Sequence, residues 1–304
     1  MRALSEAIGI GAPRAGGRQA IARARARAAL IPDLLVEAKK VAGNVFAGWH
    51  GRRKHGIGED FWQFRPYVAG ETMAAIDWRR SARDDHVFVR DREWQAAHMV
   101  WLWVDESASM LFKSRSARVS KQSRSLVVAF ALAELLARSG ERLGWLGLSR
   151  PIVSRHAAER FGEALNSAPP QTQFPDASEI RSHCDVVMVS DFLQPFEEIS
   201  AALKAIARRG ARGHLVHIVD PVEQIFPYAG RVEFRDLESG AHLTAGNAES
   251  LQSKYAAMFA AHVANLGKLA GAFGWSHTLH RTDKPASQAL AALHVQLSQD
   301  RSTR

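Results

Sequence analysis

The chain has 304 residues, 46% of them apolar and 23% charged, the proportions of an ordinary globular protein long enough to bury a substantial core. Its one cysteine, Cys184, excludes an internal disulfide framework and a multi-cysteine zinc site and suits a reducing compartment. The net charge of +9 is concentrated: residues 1–55 hold 11 Lys/Arg against 3 Asp/Glu, or +8, and the other 249 hold 29 against 28, or +1.

Taken from the N-terminus, "RQAIARARARAAL" is Ala/Arg-rich and helix-prone. It reads as a solvated basic helix. The alternative is contact between residues 1–55 and an anionic surface, namely a membrane, a nucleic acid or an acidic partner. No aromatics interleave with these arginines, so single-strand stacking is not indicated. Basic residues interrupt the N-terminal stretch as far as Arg27, unlike a signal peptide. No apolar run reaches the roughly 18–20 residues of a membrane span. The expected location is cytoplasmic, with a peripheral membrane contact as its variant.

"IPDLLVEAKKVAGNVFAGW" continues with apolar groups at helical spacing, and "GRRKHGIGED" is a basic, Gly-rich loop. "FWQFRPYVAGETMAAIDWRRSARDDHVFVRDREWQ" is aromatic-rich and turn-punctuated, so short strands and turns are expected. The organisation predicted is a basic helical segment over 1–44, a β-rich block over 45–97 and an α/β domain over 98–304.

"HMVWLWVD" (98–105) is an apolar run of strand length, as in a strand buried on both faces. A helix is predicted at about 118–139, closed by Gly140. "RLGWLGLS" and "PIVSRH" read as strands, "AAERFGEALNSA" as a short helix, and "DVVMVSDF" (185–192) as a second buried strand. A helix over 195–210 starts near a proline and ends at a glycine. "HLVHIVDP" (214–221) is a third buried strand. "RVEFRDLESGAHLT" reads as a hairpin turning at 238–240. A long helix over about 249–273, the strand "WSHTLHRT" and a helix at about 285–298 complete the chain. This alternation predicts a mostly parallel sheet with helices on both faces.

In such a sheet, sites form at the carboxyl ends of the strands. Asp105 ends the first core strand, Ser107 and Ser109 follow in the next turn, and Asp191 ends the second core strand. These four can converge at one edge. Carboxylates and hydroxyls without nitrogen or sulfur favour a hard cation, Mg²⁺ or Mn²⁺, with some ligands direct and others through water. That leaves room for an oxygen from a partner. Singly, either serine also suits a helix N-cap. Cys184 reads as a buried structural thiol. "GIG" is not a phosphate-binding loop, because no Gly-Lys-Ser/Thr follows it.

"DESASM" after an apolar strand resembles the Asp-x-Ser-x-Ser motif of the von Willebrand factor type A fold, the first part of its metal-ion-dependent adhesion site, and "VSDF" resembles the later aspartate loop. The resemblance implies a Rossmann-like, von Willebrand factor A-like domain with Asp105, Ser107, Ser109 and Asp191 as metal ligands. That family also uses a threonine from an intermediate loop, and Thr172 is the candidate. A narrower resemblance covers the upstream block. Gly56-Ile57-Gly58-Glu59, Arg65-Pro66-Tyr67, Gly70-Glu71, Ile76-Asp77-Trp78 and Ala82-Arg83 closely resemble the signature of the bacterial "domain of unknown function 58" family, with Asp60 inserted before Phe61 and Glu71 where Asp is usual.

Members of that family are often encoded beside MoxR-type AAA+ ATPases and look like adaptors or chaperone-like partners in protein maturation or assembly. The resemblance therefore implies a metal-dependent protein-interaction module with such an ATPase and a client protein as partners. It implies neither an enzyme nor a small-molecule substrate. Two other readings stand beside it. Binding of nucleic acid through residues 1–55 would weaken steeply with salt. A serine hydrolase needs a base beside Ser107 or Ser109, and no Gly-x-Ser-x-Gly elbow surrounds either.

Overall fold

The computed structural model describes residues 17–50, 61–68, 72–84, 86–92, 98–237 and 240–299. The loop "GRRKHGIGED", the Gly70-Glu71 pair and the turn residues 238 and 239 lie outside these. The chain divides into two units, Trp49–His98 and the remainder.

Helix α1 (Gly17–His50) begins the larger unit. Most of residues 21–30 is exposed or half-buried, as the basic composition predicts, with Arg27 the exception, and the packed part of the helix follows. Ile31, Leu34, Ala38 and Ala42 form a buried stripe at helical spacing, and even Arg27 is only 1% exposed. Arg25 is exposed and Arg23 half-buried.

In the smaller unit, β1 (Phe61–Pro66) pairs antiparallel with β2 (Phe88–Arg92). Between them lies the one-turn helix α2 (Trp78–Ser81), capped by Asp77, whose carboxylate accepts from the Arg80 amide at 3.0 Å. Ser81 Oγ donates to the Asp77 carbonyl and accepts from the Phe88 amide. Those bonds tie the Ile-Asp-Trp segment to the strand that follows it.

In the larger unit the remaining elements run β3 (Met99–Val104), α3 (Lys121–Arg138), β4 (Arg142–Trp145), β5 (Ser149–Ile152), α4 (Ala157–Ser167), β6 (Asp185–Ser190), α5 (Phe196–Ala207), β7 (Arg212–Val219), α6 (Pro221–Ile225), β8 (Val232–Arg235), β9 (His242–Ala245), α7 (Glu249–Ala272), β10 (Ser276–Arg281) and α8 (Ala286–Gln299). The six-stranded sheet has the order β10-β7-β6-β3-β4-β5. Only its edge pair, β4 with β5, is antiparallel. β8 and β9 form the predicted hairpin. The expected mostly parallel α/β architecture is present.

Alternation along β3 explains both cores. Val100, Leu102 and Val104 point to the face covered by α1, α3, α4 and α8, and Trp101 and Trp103 point to the face covered by α5 and α7. Helix α3 is buried almost all round, which accounts for its near-continuous apolar sequence. Gly213 on β7 is where the second face packs most closely. A Cβ there would fall 2.1 Å from the Trp275 ring. From β3 the chain moves outward to β4 and β5, then returns to β6 on the other side. The carboxyl ends of β3 and β6 are therefore the topological switch point, where an open α/β sheet leaves a crevice.

Candidate functional site

Asp105 and Asp191 leave β3 and β6 at that switch point. The strands are in register there, with Val104 opposite Val189, and the Asp105 amide donates to the Val189 carbonyl at 2.9 Å. Both aspartates are completely buried. Asp105 Oδ1 accepts from the Ser107 amide at 2.8 Å, and Oδ2 accepts from Ser190 Oγ and Gln194 Nε2, both at 2.7 Å. Burial first, and then the neighbouring Asp191 charge, push the Asp105 carboxyl up to about 6 in spite of these donors.

Ser107 takes the N-cap position of a one-turn 3₁₀ helix over Ala108–Leu111, but its hydroxyl makes no capping bond. Ser107 Oγ lies instead 3.1 Å from Ser109 Oγ. The helix-capping alternative does not account for the Ser107 hydroxyl. The cap of α3 is Ser120, which accepts from the Ser123 amide at 3.1 Å.

The structure adds a cation that the sequence reading missed. Lys121, in the first turn of α3, is fully buried. Its Nζ lies 2.8 Å from Asp191 Oδ2 and 2.6 Å from Glu223 Oε1. Burial works to lower its pKa, but the charges of Asp191 and Glu223 outweigh it and the net shift is upward, so the group stays an ammonium. Glu223 belongs to α6, and its position follows from a capping box. Asp220 Oδ1 accepts from the Val222 amide, and Glu223 Oε2 accepts from the Asp220 amide at 2.7 Å. Two signals for this arrangement were present in the sequence. A lysine in the first turn opposes the helix dipole and needs a local reason, and Asp-Pro-x-Glu after a buried strand marks a capped helix.

Supporting layers fix the loops from behind. The His217 ring on β7 meets Phe192 edge-on with centroids 5.8 Å apart and His262 on α7 at 5.9 Å, and Phe192 itself holds a left-handed backbone at φ 48°. Glu106, inside the Asp-x-Ser-x-Ser motif, receives Arg27 Nη1 at 2.5 Å on one oxygen and the Gln171 amide at 3.0 Å on the other. The Glu106 amide in turn donates to the Gln171 carbonyl at 2.7 Å. Thr172 is placed by that clasp.

Ser107, Ser109 and Thr172 line one cavity with Lys121, Gln194 and Glu223. The five residues named from the sequence are thus brought to one place, in two layers. The hydroxyls face the cavity, and the aspartates lie beneath them with their oxygens engaged by protein donors. Among the described residues, no three His, Cys, Asp or Glu side chains form a group able to hold a metal ion; any ion here meets hydroxyls first. The donors fit a small hard cation in that sense. Two ligands at right angles in a magnesium shell of 2.0–2.1 Å bonds lie about 3 Å apart, which is the spacing of the two serine oxygens. Asp105, Asp191 and Glu223 against Lys121 are three carboxylates to one ammonium, so the site is short of positive charge.

Comparison with known proteins is informative at the family level. The model of a family described as "Protein of unknown function DUF58" matches residues 63–265. An uncharacterized protein of Mycobacterium bovis and uncharacterized proteins of two Mycobacterium tuberculosis strains are each 28% identical over 278 residues, covering 84% of this chain and 85% of theirs. Among solved structures, the conserved hypothetical protein BatB from Bacteroides thetaiotaomicron aligns with a TM-score of 0.38 at 14% identity, over 67% of this chain and 100% of that one. An aerotolerance-related membrane protein from Bacteroides fragilis aligns with a TM-score of 0.36 at 15% identity, over 64% of this chain and 96% of that one. Among the described residues, no helix is long and apolar enough to cross a membrane.

Proposed function

The chain belongs to the family of proteins of unknown function DUF58, and from that premise we propose that it is a metal-dependent protein-interaction module, partnering a MoxR-type AAA+ ATPase in the maturation or assembly of a client protein. The observation that carries this reading is the pair of serine hydroxyls, 3.1 Å apart on the cavity wall, above buried carboxylates that outnumber their ammonium. Ser107 and Ser109 would hold Mg²⁺ or Mn²⁺ directly, Thr172 would complete the cavity face, and Asp105 and Asp191 would act through water. A bound cation supplies one open position for a partner carboxylate. The chain's own residues orient the hydroxyls, supply the negative charge and exclude competing bases.

Less supports the hydrolase alternative: Ser107 and Ser109 lie against each other, and Lys121, the amine in the same cavity, is held as an ammonium by Asp191 and Glu223.

One observation favours a second reading within the same class. Lys121 already neutralises Asp191 from 2.8 Å, and in this second reading the site carries its cation in the chain, with binding independent of metal. Calorimetric titration with Mg²⁺ and Mn²⁺, and capture of the ATPase with and without EDTA, separate the two. The metal reading expects saturable heat, loss of capture in EDTA, and loss of both in Asp105→Ala. Flat titrations with capture indifferent to EDTA would overturn it in favour of Lys121.

A further inference from the structure

The cavity above the serines is larger than a hydrated ion requires. Its volume is about 340 Å³, the lower end of the range for small-ligand sites. Beyond the polar floor much of its wall is apolar, with Phe112 and Leu193 near the motif, Val222 and Phe226 from α6, Phe234 from the hairpin and Tyr255 from α7, while Glu233, Arg235 and Asp236 of the hairpin also border it. Tyr255 and Phe226 stack with centroids 4.5 Å apart at 29°, and Phe234 stacks on Phe226 at 5.6 Å and 21°. Tyr228 meets Phe226 and Phe234 edge-on. Phe226 holds this place with a left-handed backbone, φ 50°, a conformation unfavourable for a bulky residue unless its surroundings enforce it.

This wall discriminates between ligand classes. A cage for an organic cation needs open ring faces, and Phe226 already stacks with two other rings. A bare carboxylate would leave the apolar walls wet. The combination of a cation-seeking hydroxyl pair with an adjoining aromatic hollow selects a ligand that is acidic at one end and apolar beside it.

We propose that the cavity takes a peptide segment of the partner in which an acidic residue stands next to an aromatic one, the carboxylate completing the cation at Ser107 and Ser109 and the aromatic side chain filling the hollow walled by Phe226 and Tyr255. The proposal rests on the metal reading above for its carboxylate half, and on the cavity for its aromatic half.

The test uses the full chain in Mg²⁺ and three capped dipeptides: acetyl-Asp-Phe-amide, acetyl-Asp-Gly-amide and acetyl-Asn-Phe-amide. The expected result is that Asp-Phe binds about ten-fold or more tighter than Asp-Gly, the effect of burying one large apolar side chain, and that Asn-Phe binds no better than Asp-Gly. Val232→Trp, which fills the hollow from the half-buried hairpin, should abolish the advantage of Phe over Gly while leaving the Mg²⁺ titration unchanged. Tyr255→Ala should do the same; Val232→Trp decides the matter if Tyr255→Ala fails to fold. Equal binding of Asp-Phe and Asp-Gly with Mg²⁺ binding intact would overturn the proposal and leave the metal reading standing. A flat Mg²⁺ titration with Asp-Phe and Asn-Phe bound equally would overturn both. A preference for Asp-Phe over both other peptides that persists in EDTA would support the aromatic pocket and overturn only the metal half, moving the carboxylate's partner to Lys121.

Discussion

Arg27 Nη1 lies 2.5 Å from Glu106 Oε1, and each side chain is only 1% exposed. The second guanidinium nitrogen donates to the carbonyls of Leu165 and Ala168, so one arginine of the N-terminal helix closes the end of α4 and braces the Asp-x-Ser-x-Ser loop. Removing one member of a buried ion pair leaves the other charge without compensation, which costs on the order of 3–5 kcal/mol. Arg27→Met should therefore unfold at markedly lower urea concentration than the wild type. Substitution of the neighbouring Arg25, which is exposed, should change the midpoint little. Equal midpoints for the two variants would show that the pair does not hold the helix in place.

Lys121 gives a prediction with a sign that depends on metal. Lys121→Met leaves Asp191 and Glu223 buried without their shared ammonium, so without divalent ions the variant should lose several kcal/mol of stability. It also removes one positive charge from a site with an excess of carboxylates. Mg²⁺ should then raise the melting temperature of the variant by more than it raises that of the wild type, since a ligand that binds only the folded state stabilises it by mass action. Thermal unfolding over a magnesium series checks this. A variant that is destabilised but unresponsive to Mg²⁺ points to Lys121 as the site's only cation.

The sheet was legible because its signals are long and redundant. Three apolar runs, helices closed by glycine and the strand-end positions of Asp105 and Asp191 all point to one architecture. The hairpin of β8 and β9 followed from its alternating pattern. What was not legible depends on partners far along the chain. Arg27 looks like any other arginine in an Ala/Arg helix until Glu106, 79 residues on, is brought beside it. Lys121 meets Glu223 across 102 residues. Composition read the basic segment as solvated, and most of residues 21–30 is, but counting charges cannot tell which one, Arg27, is turned inward. The aromatic wall went unnoticed because Phe226, Phe234 and Tyr255 come from three different elements.

His280 on β10 supplies a pH dependence remote from the serine pair. Burial first, and then the Arg124 charge, lower its pKa from 6.5 to about 4, with Asp283 opposing. The folded protein therefore keeps the ring neutral at pH values where the unfolded chain protonates it. Its contribution is fully present above pH 6.5 and drains away as the pH falls toward 4. At about 1.4 kcal/mol per pH unit between the two values, the ceiling is about 3 kcal/mol. Asp105, with its raised pKa, acts with the opposite sign between 3.8 and about 6, but equally in wild type and variant. His280→Leu should thus flatten the loss of stability between pH 6.5 and 4.5 relative to wild type, as read from urea midpoints. Parallel profiles would remove His280 as the cause.

Two glycines in contrasting surroundings test the packing. At Gly43, inside α1, an added Cβ meets nothing within 4 Å. Gly43→Ala should stabilise the protein by about 0.5–1 kcal/mol, because alanine gives up less backbone freedom in a helix. At Gly213 the same methyl would strike the Trp275 indole at 2.1–2.5 Å, and a rigid ring in a filled core cannot step aside without moving its neighbours. Gly213→Ala should cost about 1–3 kcal/mol, the usual range for overpacking, and should change the near-ultraviolet circular dichroism of the tryptophans. A Gly213→Ala protein with wild-type midpoint and spectrum would mean that Trp275 does not lie across β7, and the packing of the second core face would have to be redrawn.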